Sequence, residues 1–209
     1  ISACLVGSEM CIRDRSYTTG GIVHSTPAVV NGVIYFGSYD YNVYAVNASS
    51  GTLLWSYTTG NSIKASATVV NGVVYIGSED NNLYALNAST GAHLWTASTG
   101  GAIEGSSTVV NGVVYSGSDD DKLYAWNASS GAQLWTVTTG SVIHSAPVIS
   151  NGVLYIGSND YKLYAVNASS GAVLWTYTTG SYVGATPTVV NGVVYIGSGD
   201  GKLYAFTAS

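Results

Sequence analysis

From residue 21 onward, short runs that alternate apolar and polar residues are cut at regular intervals by glycine-containing turns. In Val29-Val30-Asn31-Gly32-Val33 an Asn-Gly pair separates two β-branched runs. A type I′ turn needs positive φ at both central residues, so the pair predicts a two-residue hairpin joining a first strand to a second. The second strand alternates through Val33, Tyr35 and Gly37 and ends at the turn Gly37-Ser38-Tyr39-Asp40-Tyr41, after which Val43, Tyr44 and Ala45 begin a third. Asp40 recurs as Asp80, Asp120, Asp160 and Asp200 and is expected to bond the backbone of its own turn. The segment Asn47-Ala48-Ser49-Ser50-Gly51 has an Asx starter and a glycine able to turn left-handed, and it precedes a fourth strand bearing Leu54 and Trp55. Thr59-Gly60 then leads into a new copy.

The whole pattern has a period of 40 residues, with units 21–60, 61–100, 101–140 and 141–180 and a partial unit 181–209. Four antiparallel strands in each 40-residue unit predict an all-β fold of β-propeller blades, about five in this chain. Each twisted sheet has two apolar faces that only neighbouring blades can cover. A right-handed β-solenoid is the main rival, but its coils are usually shorter and pair in parallel without two-residue hairpins.

Ser16 to Gly20 repeats Ser56 to Gly60, so it reads as the last strand of a blade, whereas unit 181–209 supplies three strands and lacks a fourth. Two architectures follow. The Tyr17 segment pairs beside Leu203-Tyr204-Ala205 and closes a five-bladed, monomeric ring, or the chain is an open arc of a larger propeller with two exposed apolar faces. Residues 1–15 lie outside the repeat, with Arg15 in a tryptophan register. They resemble translated sequencing-adaptor read-through and are expected to be non-native.

Composition narrows the functional classes. Of 209 residues 46% are hydrophobic and only 8% charged, enough for a sizeable core; 26 glycines and 17 tyrosines speak for turns and strands and against a helix bundle. Six Lys and Arg stand against eleven Asp and Glu, and four of the six are lysines spaced along the repeats, which argues against a nucleic-acid-binding surface. No apolar run approaches the roughly 18 residues of a transmembrane helix. Cys4 and Cys11 both lie within residues 1–15, so the repeats can form no disulfide.

The spacing Ala45-x-Asn47-x-x-x-Gly51-x-x-x-Trp55, with copies ending at Trp95, Trp135 and Trp175, resembles the tryptophan-docking motif of the pyrroloquinoline-quinone-type (PQQ-like) propeller repeat, over residues 16–209. The resemblance implies that each tryptophan packs against the adjacent blade; Asn47 stands where that family commonly has Asp. The family includes quinone-dependent alcohol and sugar dehydrogenases, an outer-membrane-protein assembly lipoprotein and cell-surface repeat proteins without a cofactor. It therefore implies a fold and an extracytoplasmic setting, not an activity.

Positions that differ between copies are the ones free to specialise. Just before the first strand stand His24, Lys64, Glu104, His144 and Gly184. If that strand is innermost, as in the family, these residues ring one mouth of the channel, where imidazoles, an ammonium and a carboxylate would suit an anionic or polyhydroxylated ligand. The plainer reading is a solvated rim. A second variable patch is the turn carrying Tyr39/Tyr41, Glu79/Asn81, Asp119/Asp121, Asn159/Tyr161 and Gly199/Gly201. Tyr39, Tyr41 and Tyr161 offer an aromatic contact surface. Asp119-Asp120-Asp121 lacks the alternating ligands of a calcium loop and reads as a solvated acidic turn. Trp126 stands where other copies have Val46, Leu86, Val166 and Phe206, and is expected to fill space between blades; His93 occupies a position expected to be exposed. Asn-x-Ser sequons at Asn47, Asn87, Asn127 and Asn167 are explained by their role as turn starters.

A quinoprotein, by the same resemblance, needs an arginine on the quinone, a carboxylate set for calcium and, in the alcohol dehydrogenases, an adjacent-cysteine disulfide. Here the only arginines are Arg13 and Arg15, the cysteines are not adjacent, and the turn aspartates are common to all copies. The sequence therefore points to a non-catalytic, cofactor-free binding or scaffold propeller that contacts a protein or glycan partner by blade edges and channel mouth. The alternative is a fragment of a PQQ- and calcium-dependent dehydrogenase whose site residues lie in other blades. Low charge with abundant Ser, Thr, Asn and Tyr suits an extracytoplasmic surface.

Overall fold

A computed structural model describes residues 16–208, and residues 1–15, with Arg15 and the expectation that this segment is non-native, lie outside the described residues. Every regular element described is a β-strand. The first blade comprises β1 (Ala28–Val30), β2 (Val33–Gly37), β3 (Asn42–Asn47) and β4 (Leu53–Thr58). The second comprises β5 (Thr68–Val70), β6 (Val73–Gly77), β7 (Asn82–Asn87) and β8 (His93–Ser98). The third comprises β9 (Thr108–Val110), β10 (Val113–Gly117), β11 (Lys122–Asn127) and β12 (Gln133–Thr138). The fourth comprises β13 (Val148–Ser150), β14 (Val153–Gly157), β15 (Lys162–Asn167) and β16 (Val173–Thr178). The fifth has β17 (Thr188–Val190), β18 (Val193–Gly197) and β19 (Leu203–Thr207). Within each sheet the strands lie in chain order and pair antiparallel, which is the meander of a propeller blade.

The local chemistry is what the residues require. Asn31 and Gly32 take φ of 50° and 76°, the left-handed pair of a type I′ turn, and the same pair recurs in every copy. Asn47 Oδ1 accepts the N–H groups of Ser49 and Ser50, both at 2.9 Å, so the third turn is an Asx turn as its sequence implies. The fourth strand carries a bulge where Ala45 faces Trp55 but Val46 faces Leu53.

Blades are joined by apolar burial and a few repeated polar contacts. Trp55 Nε1–H donates to the Ala88 carbonyl of the next blade at 2.9 Å, and Tyr35 Oη donates to the same carbonyl at 3.1 Å. Gly91, with φ +73°, lies under the Trp55 ring so closely that a Cβ there would fall 2.7 Å from it. Trp95 and Trp135 repeat the arrangement on Ala128 and Ala168. On the inner side Ile63 seats on Gly37 of the preceding blade, where a Cβ would meet its methyl carbon. Trp126, only 1% exposed, is stacked on Tyr124 at 5.1 Å and fills the space between the second and third blades with Trp95, Ile103 and Val114.

Each turn aspartate does more than bond its own turn. Asp40 Oδ1 accepts Asn42 N–H at 3.1 Å, while Oδ2 accepts Tyr44 Oη at 2.7 Å and the N–H of Gly20, twenty residues upstream, at 2.6 Å. The Asp80 to Gly60, Asp120 to Gly100, Asp160 to Gly140 and Asp200 to Gly180 bonds repeat this clamp on the linker entering each blade. Burial and the charge of Asp40 push the Tyr44 hydroxyl up to about 12.

The described chain is an open arc. Residues 16–19 join no strand, and Tyr17 packs on Tyr44 at 5.5 Å and Phe36 at 6.4 Å, as Tyr57 packs on Tyr84 at 5.7 Å. The Gly20 clamp and the Tyr17 stack thus hold this segment on the first blade, away from β19, whose Leu203 is 74% exposed. A groove of about 340 Å³ beside Tyr17, lined by Ile34, Phe36, Val46 and Gly51, occupies the place where interior blades receive a tryptophan. No helix among the described residues is long and apolar enough to cross a membrane.

Candidate functional site at the channel mouth

The first strands of neighbouring blades, β1 with β5, β5 with β9 and β13 with β17, touch one another across blade boundaries, so they line the channel. Hydrogen bonds such as Thr68 Oγ1 to the Ser107 carbonyl at 2.6 Å run along this inner wall. The residue before each first strand sits at the same end as the turn between second and third strands, because the two segments are bonded together. Tyr39 N–H donates to the Ile22 carbonyl at 2.9 Å, and Ile63 N–H to the Ser38 carbonyl at 3.2 Å. The Asn-Gly hairpins and Asx turns lie at the opposite end, tied by Ala48 N–H to the Gly32 carbonyl at 2.8 Å.

This geometry merges two patches that look separate in the sequence. Lys64 Nζ lies 2.6 Å from Glu79 Oε1 on its own blade and 2.6 Å from Glu104 Oε1 on the next. His144 Nε2 lies 2.8 Å from Asp119 Oδ1 and 3.9 Å from Glu104 Oε2. Glu79, Lys64, Glu104, His144 and Asp119 thus form one chain of charges across the second, third and fourth blades. The hydrogen bonds to Glu104 and Glu79 raise the Lys64 ammonium above its ordinary range. Burial pushes the Asp119 carboxyl up, partly offset by the His144 imidazole. Glu79 and Asp119 are the functional candidates that sequence reading kept apart from the rim. Their common end follows from the repeat only once the turn and the strand entry are known to be neighbours.

Other candidates do not converge. His24 stacks on Tyr39 at 6.2 Å on the first blade and joins no ion pair among the described residues. Tyr41 and Tyr161, 45% and 50% exposed, stand on the first and fourth blades, and no ring contact among the described residues joins them to Tyr39. His93 is exposed, bonded to Thr96 Oγ1 at 2.7 Å and stacked on Tyr57.

A wider regularity appears once the two ends are distinguished. Beyond residue 15 every Asp, Glu and Lys falls just before a first strand, in the turn that leads into a third strand, or at that third strand's first residue. All of this charge is therefore at one end of the arc, nine carboxylates against four lysines, and the other end has none. Lys64 is already held between two carboxylates. The mouth is therefore a rim with an excess of carboxylates.

Comparison with known proteins accords with the blade architecture. The family model described as outer membrane protein assembly factor BamB matches residues 13–109 and again 85–209. The chain belongs to this family of PQQ-like propeller repeats. No curated protein sequence matches it. Among solved structures, BamB from Moraxella catarrhalis is similar at 19% identity and a TM-score of 0.82, over 92% of this chain and 63% of that one. The computationally designed Ika8 protein is similar at 19% identity and a TM-score of 0.79, over 87% of this chain and 57% of its own. The quinohemoprotein alcohol dehydrogenase ADHIIG from Pseudomonas putida HK5 is similar at 20% identity and a TM-score of 0.78, over 91% of this chain and 41% of that enzyme. The chain spans less than two thirds of each of these structures, and at such identities the likeness is one of fold. A fold shared with an assembly factor and with a dehydrogenase does not by itself carry either activity to this chain.

Proposed function

We propose that this chain is a non-catalytic binding scaffold working outside the cytoplasm, which takes a basic segment of a protein partner at the acidic mouth. The observation that carries the reading is the confinement of all repeat charge to that one end, with an excess of carboxylates. A mouth of this sign steers and holds Lys- or Arg-rich segments, in a manner that weakens with salt. The family's description as an assembly factor for outer membrane proteins supports a partner-binding role and an extracytoplasmic setting. The dehydrogenase alternative lacks support among the described residues, where no arginine stands near any carboxylate set.

The test is fluorescence anisotropy with a labelled extended peptide alternating Lys and Ser, on the full chain and on an E79Q/E104Q/D119N variant. Saturable binding that weakens between 50 mM and about 500 mM salt, and is lost in the variant, is the expected result. Binding that is unchanged by the triple substitution overturns the reading. Titration with pyrroloquinoline quinone and calcium checks the enzyme alternative, since a stoichiometric shift of the quinone absorbance would favour a dehydrogenase.

A further inference from the structure

Within the acidic mouth one set of side chains has the chemistry of a metal site. Glu104, Asp119 and His144 each present one donor atom, and the three atoms lie within 4.8 Å of one another. His144 adds an imidazole nitrogen to the carboxylates, which distinguishes the set from the plain acidic turns elsewhere in the repeat. The other copies cannot assemble it. The same two positions hold His24 with Tyr39, Lys64 with Glu79, His144 with Asn159, and Gly184 with Gly199.

The backbone holds the donors at the boundary of the third and fourth blades. Ile143 N–H donates to the Ser118 carbonyl at 3.2 Å, so the residues that follow these two, His144 and Asp119, flank one inter-blade bond. Asp119 N–H is anchored on the Ala102 carbonyl at 2.9 Å. Beside Glu104, Gly105 lets the fourth blade approach, since a Cβ at that position would lie 2.7 Å from the His144 carbonyl oxygen. Other copies have Ser25, Ala65, Ser145 and Ala185 there.

Charge and spacing fit a small divalent cation. Lys64 takes Glu104 Oε1 at 2.6 Å and leaves Oε2 turned toward His144 Nε2 at 3.9 Å. The His144 to Asp119 separation is 2.8 Å. Donors about 2.0–2.2 Å from a zinc ion stand roughly 3.3 Å apart around a tetrahedron, so an ion would replace the His144–Asp119 hydrogen bond and need side-chain shifts of only about half an ångström at the two measured separations. One nitrogen and two carboxylate oxygens form a donor set for zinc or a neighbouring divalent transition metal, with the fourth position open to water or to a partner's side chain.

We propose that Glu104 Oε2, Asp119 Oδ1 and His144 Nε2 bind one divalent transition-metal ion at the channel mouth, bridging the third and fourth blades. The proposal rests on the acidic mouth that the binding reading also uses, and it concerns a metal ion where that reading concerns a peptide. Isothermal titration of zinc chloride into the full chain, carrying C4S/C11S so that thiols do not compete, tests it. One ion per chain is expected, with affinity reduced at least about tenfold in H144A and in D119N, and unchanged in H24A and H93A. A rise in melting temperature with zinc, absent in H144A, should accompany it, and circular dichroism of each variant establishes that it is folded. No saturable uptake at 1 mM zinc, with ~1 mM being far above any specific site's need, overturns the proposal, as does uptake that survives H144A. Loss of zinc binding with peptide binding intact defeats the metal site alone, and loss of peptide binding with zinc binding intact defeats the partner reading alone.

Discussion

The two ends of the arc are built from the same strands and divide the work differently. At the hairpin end the Asn-Gly pair recurs in all five copies and Asn-Ala-Ser in four, without a charged residue beyond residue 15. There side chains and glycines serve the backbone: Asn47 Oδ1 closes its turn, and the Ala88 carbonyl receives both Trp55 and Tyr35 from the preceding blade. At the mouth every unit keeps one aspartate for the clamp on the preceding linker and lets the residues around it change. The contrast teaches that invariance within this chain marks backbone satisfaction and blade docking. Variation in charge marks the mouth, where side chains other than the clamp aspartates are not committed to the backbone.

The largest effect should come from the hairpin end. Trp95→Ala removes an indole that is 8% exposed, together with its bond to Ala128, and opens a cavity between the second and third blades. Urea unfolding should show a loss of about 3–5 kcal/mol. The partly buried Trp175 of the fourth blade, docked on the three-stranded fifth blade, should cost clearly less when replaced by Ala. Equal costs would break the link between docking and stability.

Next comes the clamp. Asp80→Ala strips acceptors from Gly60 N–H, Tyr84 Oη and Asn82 N–H, which are bonded at 2.6, 2.6 and 3.0 Å. A loss on the order of 2 kcal/mol is expected, since a donor left without a partner costs about 1–3 kcal/mol when buried. A loss below about 0.5 kcal/mol, the scatter of ordinary surface changes, would place this aspartate with the variable residues.

The same clamps set an acid limit. Burial alone would raise the Asp40 carboxyl, but bonds from Tyr44, Gly20 and Asn42 outweigh it and hold the carboxyl below its ordinary value. Asp200 is lowered to about 2, chiefly by its bond from Tyr204. A carboxyl lowered by folding stabilises the native chain above its unfolded value, near 3.9, and that contribution is lost as pH falls through the folded value. Melting temperature should therefore fall between about pH 4 and pH 2, and D40N should flatten the fall. An unchanged slope in D40N would detach the clamp from acid stability.

Much of this was legible in the sequence because repetition exposes what each residue is for. Asn31-Gly32, Asn47 and the tryptophans announce turns and docking surfaces through local backbone chemistry, and the strands fall where alternation places them. The open arc was one of two readings, and a contact settled it. Tyr17 finds in Tyr44 and Phe36 the neighbours its register requires, and β19 offers it none. The second half of the aspartate's role is written in no local pattern, because Gly20 and Asp40 meet across a blade boundary, twenty residues apart. The rim was half legible. Position 24 and its copies are conspicuous, whereas their pairing with position 39 depends on how a linker and a turn lie side by side, which no local pattern states. Residue types at position 24 and its copies do not state the charge balance of the mouth, because the carboxylates that hold Lys64 come from a turn and from the next blade.

The smallest effects should lie at the mouth itself, where the comparison is sharpest. Lys64→Met breaks two contacts of 2.6 Å, yet the ammonium and Glu104 are 31% and 22% exposed, and ion pairs so placed are worth only about 0–1 kcal/mol. Whatever difference appears between wild type and K64M should shrink in about 1 M salt, where charges are screened within roughly 3 Å. His24→Ala removes a ring that stacks on Tyr39 and pairs with no described charge, so its effect should fall within about 0.5 kcal/mol. Combined with His144→Ala, it should leave the melting temperature of the metal-free chain nearly unchanged while ligand uptake at the mouth falls. A pair that instead lowers stability by more than about 1 kcal/mol would make the mouth a structural element like the hairpin end, and the division of labour between the two ends would fail.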